Sequence, residues 1–140
     1  MTDNQDAKRV VPYLTFYGRA REAIELWSKA FGAEEIAAYE ENGHLRHAEV
    51  KINGGPVYLT DFSMEPLPEF QPTPSVSLHL EVPDGSDWMA RGKAGGCRVL
   101  TPWQNMSFGG FGRLVDPFGV IWSIATPKAP ALSDGRAPLP

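Results

Sequence analysis

Apolar residues recur along this chain with two different periods, and the switches between them outline its elements. Val10 to Tyr17 is rich in β-branched and aromatic residues, which predicts a first strand. Ala20, Ala23, Ile24, Trp27, Ala30 and Phe31 then recur every three or four positions, so a helix is expected from about Arg19 to Phe31. Arg21–Glu25 and Glu25–Lys29 fall four apart on its wet side, and Gly32 is placed to end it. Three strands are predicted next: Glu35 to Glu40, Leu45 to Ile52 and Pro56 to Phe62. Asn42-Gly43 and Asn53-Gly54-Gly55 separate them, and residues that tolerate positive φ suit tight hairpins. Pro66, Pro68, Pro72 and Pro74 then form a linker, because no helix or interior strand accepts so many prolines.

After the linker the pattern restarts. Ser75 to Val82 alternates as a strand, and Asp84 to Ala94 reads as a short, weak helix with Ser86 as a cap and Gly92 lowering its stability. Cys97 to Pro102, Phe111 to Val115 and Ile121 to Thr126 are the remaining strands. The fold class is therefore α+β: tandem βαβββ modules pairing into a curved, cavity-forming sheet. The boundaries expected are a polar lead at 1–9, modules at 10–64 and 75–127, the linker at 65–74, and a Pro/Ala-rich tail at 128–140. One module alone leaves a whole sheet face uncovered, so the modules must pair within a chain or with those of a second copy.

The 140 residues are enough for one domain or two small repeated modules. A formal charge of −4 argues against a nucleic-acid or anionic-membrane surface. No apolar run approaches the roughly 20 residues that span a bilayer, and the polar stretch Thr2 to Arg9 lacks the apolar core of a signal peptide. A cytoplasmic location is expected. Cys97 is the single cysteine, so no intramolecular disulfide forms, and it reads as a small apolar residue rather than a reactive thiol.

Three stretches carry a family resemblance. Val11-Pro12-Tyr13-Leu14-Thr15-Phe16 leads into Ala23-Ile24-Glu25-Leu26-Trp27-Ser28-Lys29-Ala30-Phe31-Gly32-Ala33; His47-Ala48-Glu49-Val50 is followed by Ile52-Asn53-Gly54-Gly55; Asp116-Pro117-Phe118-Gly119 precedes Trp122-Ser123-Ile124-Ala125-Thr126. In this order and spacing they resemble the PhnB-like branch of the vicinal oxygen chelate superfamily, which holds glyoxalases, bleomycin-resistance proteins and extradiol dioxygenases. The resemblance implies the tandem-module fold and a homodimer. It also implies metal-ligand positions at about Pro12, Tyr58, Ser77 and Ser123, none of which is a His, Glu or Gln here. Val120 stands where many PhnB-like sequences carry a His. A Ser hydroxyl is a poor substitute for a carboxylate around a divalent ion, so the shared metal site is expected to be lost.

Strand parity assigns the remaining candidates to faces. Val76, Leu78, Leu80 and Val82 form an apolar set opposite Ser77, His79 and Glu81; Ala48, Val50 and Ile52 oppose His47, Glu49 and Lys51. The concave side is expected to carry His47, Glu49, Tyr58, Thr60, His79 and Ser123. Trp103, with Phe108 and Phe111 around a polar, glycine-bearing run, reads either as a lid or as an anchored loop. Arg113 reads either as an anchor for an anionic ligand group or as half of an ion pair. Asp61 and Glu65 are acid/base candidates or solvated loop carboxylates, and His44 is expected at an exposed hairpin tip.

The function these readings favour is cofactor-free binding of a small organic molecule, aromatic or anionic, in the concave cavity. The alternative is a lyase, dioxygenase or thiol transferase using a divalent metal at a displaced site of His47, Glu49 and His79, which supply suitable donors. A structural or regulatory dimer without ligand is the third reading.

Overall fold

A computed structural model of the chain describes residues 9–62 and 76–128. The expected proline linker, Glu65 and most of the expected tail lie outside the described residues. The strands and helices follow the predicted order twice over. β1 (Tyr13–Thr15), α1 (Ala20–Phe31), β2 (Glu34–Glu41), β3 (His44–Ile52) and β4 (Gly55–Thr60) are followed by β5 (Leu78–Glu81), α2 (Gly85–Gly95), β6 (Arg98–Met106), β7 (Gly109–Val115) and β8 (Ile121–Pro127). The first sheet runs β1-β4-β3-β2 and the second β5-β8-β7-β6, each with one parallel pair at its start. This is the α+β architecture expected.

Turn chemistry sets the registers. Asn42 and Gly43 both take positive φ, as do Asn53 and Gly54, so each pair closes a two-residue hairpin whose twist matches the flanking strands. At the last hairpin, Asp116 accepts from the backbone N–H groups of Phe118 and Val120 at 3.0 and 2.9 Å, and Gly119 takes φ +90°.

Both helices pack on the inner faces of the sheets and on each other. One core joins the halves: Trp27 and Phe31 of α1 meet Trp122 of β8, and Phe31 stacks on Trp88 of α2. The indoles of Trp27 and Trp122 each donate to Asp116 Oδ2 at 3.0 Å. Phe16 meets Phe118 edge to face, and Asn53 Nδ2 donates to Glu81 O at 2.9 Å. These joints lie on the helix side and at the turns.

Several expectations change. Asp84, not Ser86, caps α2: its carboxylate accepts from Asp87 N at 3.3 Å, and Ser86 donates its hydroxyl to Asp84 instead. Gly92 is a close-packing residue, since a Cβ there would overlap Leu114 Cδ1 and press on Phe31. Arg21 pairs with Glu35 and Glu40 on β2 rather than with Glu25. Asp61 is neither solvated nor poised for acid/base work. Its side chain is buried and accepts from the backbone N–H of Gly18, Ala20 and Leu45, so it caps α1 from just past the end of β4. The strand expected from Ser75 begins only at Leu78, which leaves Val76 62% exposed instead of packed on the helix. The long lid loop is a β6–β7 hairpin in which only Ser107 and Phe108 turn.

Candidate functional site

Each sheet has a second face, away from the helices, and the strands place particular side chains on it. On the first sheet, Ala48, Val50 and Ile52 face the core, so His47 and Glu49 face out as parity predicts. Tyr58 pairs in register with both Glu49 and Tyr13, and His47 pairs with Tyr39. The result is an aromatic cluster around one imidazole. Ring centroids lie 5.1 Å apart for His47–Tyr58, 5.5 Å for Tyr13–His47 and 5.8 Å for Tyr13–Tyr58. His47 Nδ1 shares a 2.9 Å hydrogen bond with the Tyr13 hydroxyl, and Arg9 Nη2 donates to the Tyr58 hydroxyl at 3.2 Å. Tyr13 and Tyr39 nonetheless remain 54% and 53% exposed. Thr60 shares the neighbourhood, but its hydroxyl is committed to backbone, donating to Arg46 O at 2.8 Å and accepting from Phe62 N.

On the second sheet a polar row crosses the face turned from the helix, where Ser123, Val115, Ile121 and Ala125 are largely covered. Leu114 and Trp122 face the core, so Arg113 and Ser123 face out, and the two are register partners. Ser123 also pairs with His79, and Arg113 with Thr101, giving the order His79–Ser123–Arg113–Thr101 over four adjacent strands. His79 Nδ1 lies 2.5 Å from Ser123 Oγ, and Arg113 Nε donates to Thr101 Oγ1 at 3.0 Å. The Glu81 carboxylate stands 3.8 Å from His79 Nε2. Phe111 and Ala125 form the next row on one side, Val115 and Ile121 on the other. The expected ion pair for Arg113 does not form: among the described residues no carboxylate lies within salt-bridge distance of it.

Trp103 does not join this face. The register shift in β6 between Thr101 and Gln104 puts Trp103 on the face opposite Thr101. Its ring packs against the core over Gly85 and Gly110, where any Cβ would overlap it. Tyr13, Tyr39 and Thr101 are site residues that the sequence reading left out. Tyr13 shares the parity of Thr15 on β1, and pairing β1 with β4 would have placed it beside Tyr58.

Among the described residues the donor set does not fit a divalent ion. His47 and Glu49 lie on the first sheet and His79 on the second. Tyr58 and Ser123 offer a phenol and a hydroxyl, Ser77 precedes β5, and Pro12 contributes its carbonyl to Tyr58 N. Among the described residues no three His, Cys, Asp or Glu side chains come together to hold a metal. Cys97 is buried, and desolvation with the nearby Asp116 charge pushes its thiol from 9.0 up to about 12, so it is no nucleophile. A cavity of about 610 Å³ opens at the joint of the halves, between Phe16, Tyr17, Arg19, Arg98 and Phe118.

Paired four-stranded sheets, each backed by one helix, define an α+β protein. The chain belongs to the Glyoxalase/Bleomycin resistance protein/Dioxygenase superfamily, whose model matches residues 9–124. It is 33% identical over 116 residues to an uncharacterized protein of Mycobacterium tuberculosis, covering 77% of this chain and 68% of that one. Protein YjdN of Escherichia coli is 25% identical over 139 residues, which cover 84% of this chain and 94% of YjdN. A solved structure described as a putative 3-demethylubiquinone-9 3-methyltransferase, PhnB protein, from Bacillus cereus is 24% identical. It covers 85% of this chain and 99% of that one with a TM-score of 0.67, a likeness of fold. No helix among the described residues is long and apolar enough to cross a membrane.

Proposed function

We propose that this protein binds a small, planar organic molecule on the open faces of its sheets without a metal cofactor, and acts as a cytoplasmic homodimer. The observation that carries the reading is the aromatic cluster of Tyr13, Tyr39, Tyr58 and His47, ordered by its own contacts yet more than half exposed at two of its rings. Aromatic surface left open on a folded domain marks a place where something else is bound, and exposed ring faces favour flat ligands. The modules at residues 10–64 and 75–127 supply the two walls. The joints between them run on the helix side, so a second copy laid against the open faces would complete the enclosure.

The test is thermal stabilisation of the purified protein by a panel of small aromatic compounds, with total metal measured on the same sample. The reading expects saturable stabilisation by at least one compound at less than one tenth of an equivalent of metal, weakened about tenfold by Tyr13→Ala. Stoichiometric metal, removed by changing His47 and His79 to Ala, would instead establish the metal-dependent enzyme.

A further inference from the structure

Arg113 is a half-buried guanidinium in the middle of a sheet, spending one N–H on a neutral threonine. Its terminal nitrogens donate to no protein acceptor among the described residues, and no carboxylate there pairs with it. A cation withdrawn from water normally keeps a counter-charge, because desolvation without one is costly. Beside it sits Ser123, only 5% exposed, and beyond Ser123 stands His79. Neighbouring strands are about 4.8 Å apart, so the backbones carrying His79 and Arg113 lie roughly 10 Å apart, and their side chains flank a narrower notch over Ser123, whose hydroxyl lies 2.5 Å from His79 Nδ1. Apolar Phe111 and Ala125 bound it on one side, Val115 and Ile121 on the other.

We propose that this notch is a carboxylate site, and that the ligand is a small apolar or aromatic monocarboxylate held by Arg113 and Ser123. The inference rests on the binding function proposed above and narrows it to a ligand class. Arg113 presents the planar fork that matches a carboxylate. Ser123 adds a second donor: with the proton on Nδ1, His79 donates to Ser123 Oγ, which turns the hydroxyl hydrogen toward the anion. The notch suits one negative charge better than two. Arg113 is its single fixed cation among the described residues, and the Glu81 carboxylate beside His79 opposes a dianion such as phosphate. The apolar walls receive the remainder of the molecule, with the aromatic face of the first sheet available across the enclosure.

Titration of the full chain with benzoate, its neutral isostere benzamide and inorganic phosphate, followed by side-chain NMR of Arg113, tests this. Benzoate should shift the Arg113 Nε–Hε resonance saturably and bind at least tenfold more tightly than benzamide or phosphate. Arg113→Gln should remove that preference while benzamide binds as before, and Arg113→Lys should restore part of it. Equal binding of benzoate and benzamide, unchanged in Arg113→Gln, would overturn the carboxylate site and leave the aromatic pocket standing. Benzoate binding that leaves Arg113 unperturbed overturns it as well. Failure of all three probes, together with the whole aromatic panel, would overturn both proposals.

Discussion

Both carboxylate oxygens of Asp116 are committed inside the fold. Oδ1 accepts two backbone N–H groups of the final turn, and Oδ2 accepts the indole N–H of Trp27 from one half and of Trp122 from the other. Asp116→Asn keeps the size but offers an amide that can accept on one side only. If its oxygen serves the turn, its NH₂ confronts two buried indole donors. Each orphaned buried donor costs about 1–3 kcal/mol, so this change should destabilise the protein by roughly 2–4 kcal/mol in urea denaturation. Cys97 makes the opposite point about a polar-capable group. With its thiol raised to about 12, it should resist iodoacetamide at pH 8 in the folded protein and react once unfolded. Because the folded value exceeds the unfolded one, its contribution to stability is fully present below pH 9 and is lost as the pH climbs from 9 toward 12. Cys97→Ala should flatten that alkaline fall.

At the level of elements, α2 shows where propensity misleads. Gly92 looks like a weak point in a helix, and alanine there would ordinarily gain up to about 1 kcal/mol. Leu114 and Phe31 occupy the space a Cβ needs, so Gly92→Ala should lower stability by roughly 1–2 kcal/mol net, measurable as a reduced Tm. The elements themselves were legible because each signal was local. The helical stripe of α1, the two Asn-Gly turns and the Asp116–Gly119 turn act over a few residues, and the structure follows them. What sequence did not disclose was set by partners far along the chain. The cap of α1 comes from Asp61, 41 residues beyond Ala20. The glycines of β7 look like a flexible loop until Trp103 is seen to lie over Gly110. The candidate site divided along the same line. His47, Glu49, Tyr58, His79 and Ser123 lie on the faces turned from the helices by simple alternation, whereas the face of Trp103 depends on a register shift that no local pattern signals.

On the scale of the whole molecule, two sheets of identical strand order carry unlike open faces. The first is aromatic around His47, and the second is a polar row centred on Arg113 and Ser123. Helix-side joints hold the halves together and leave the aromatic rings of the first sheet exposed, which is why enclosure is assigned to a second copy. Light scattering during size-exclusion chromatography should therefore give twice the mass of one chain. A monomer that still binds the aromatic panel would remove the second copy from the account. The central claim is that binding uses the aromatic and polar side chains rather than a metal, and calorimetry answers it most directly. Protein dialysed against EDTA and untreated protein are titrated with the most stabilising aromatic compound of the panel. The account predicts the same Kd and the same stoichiometry for both. Binding that disappears after EDTA and returns with one equivalent of a divalent ion would contradict it.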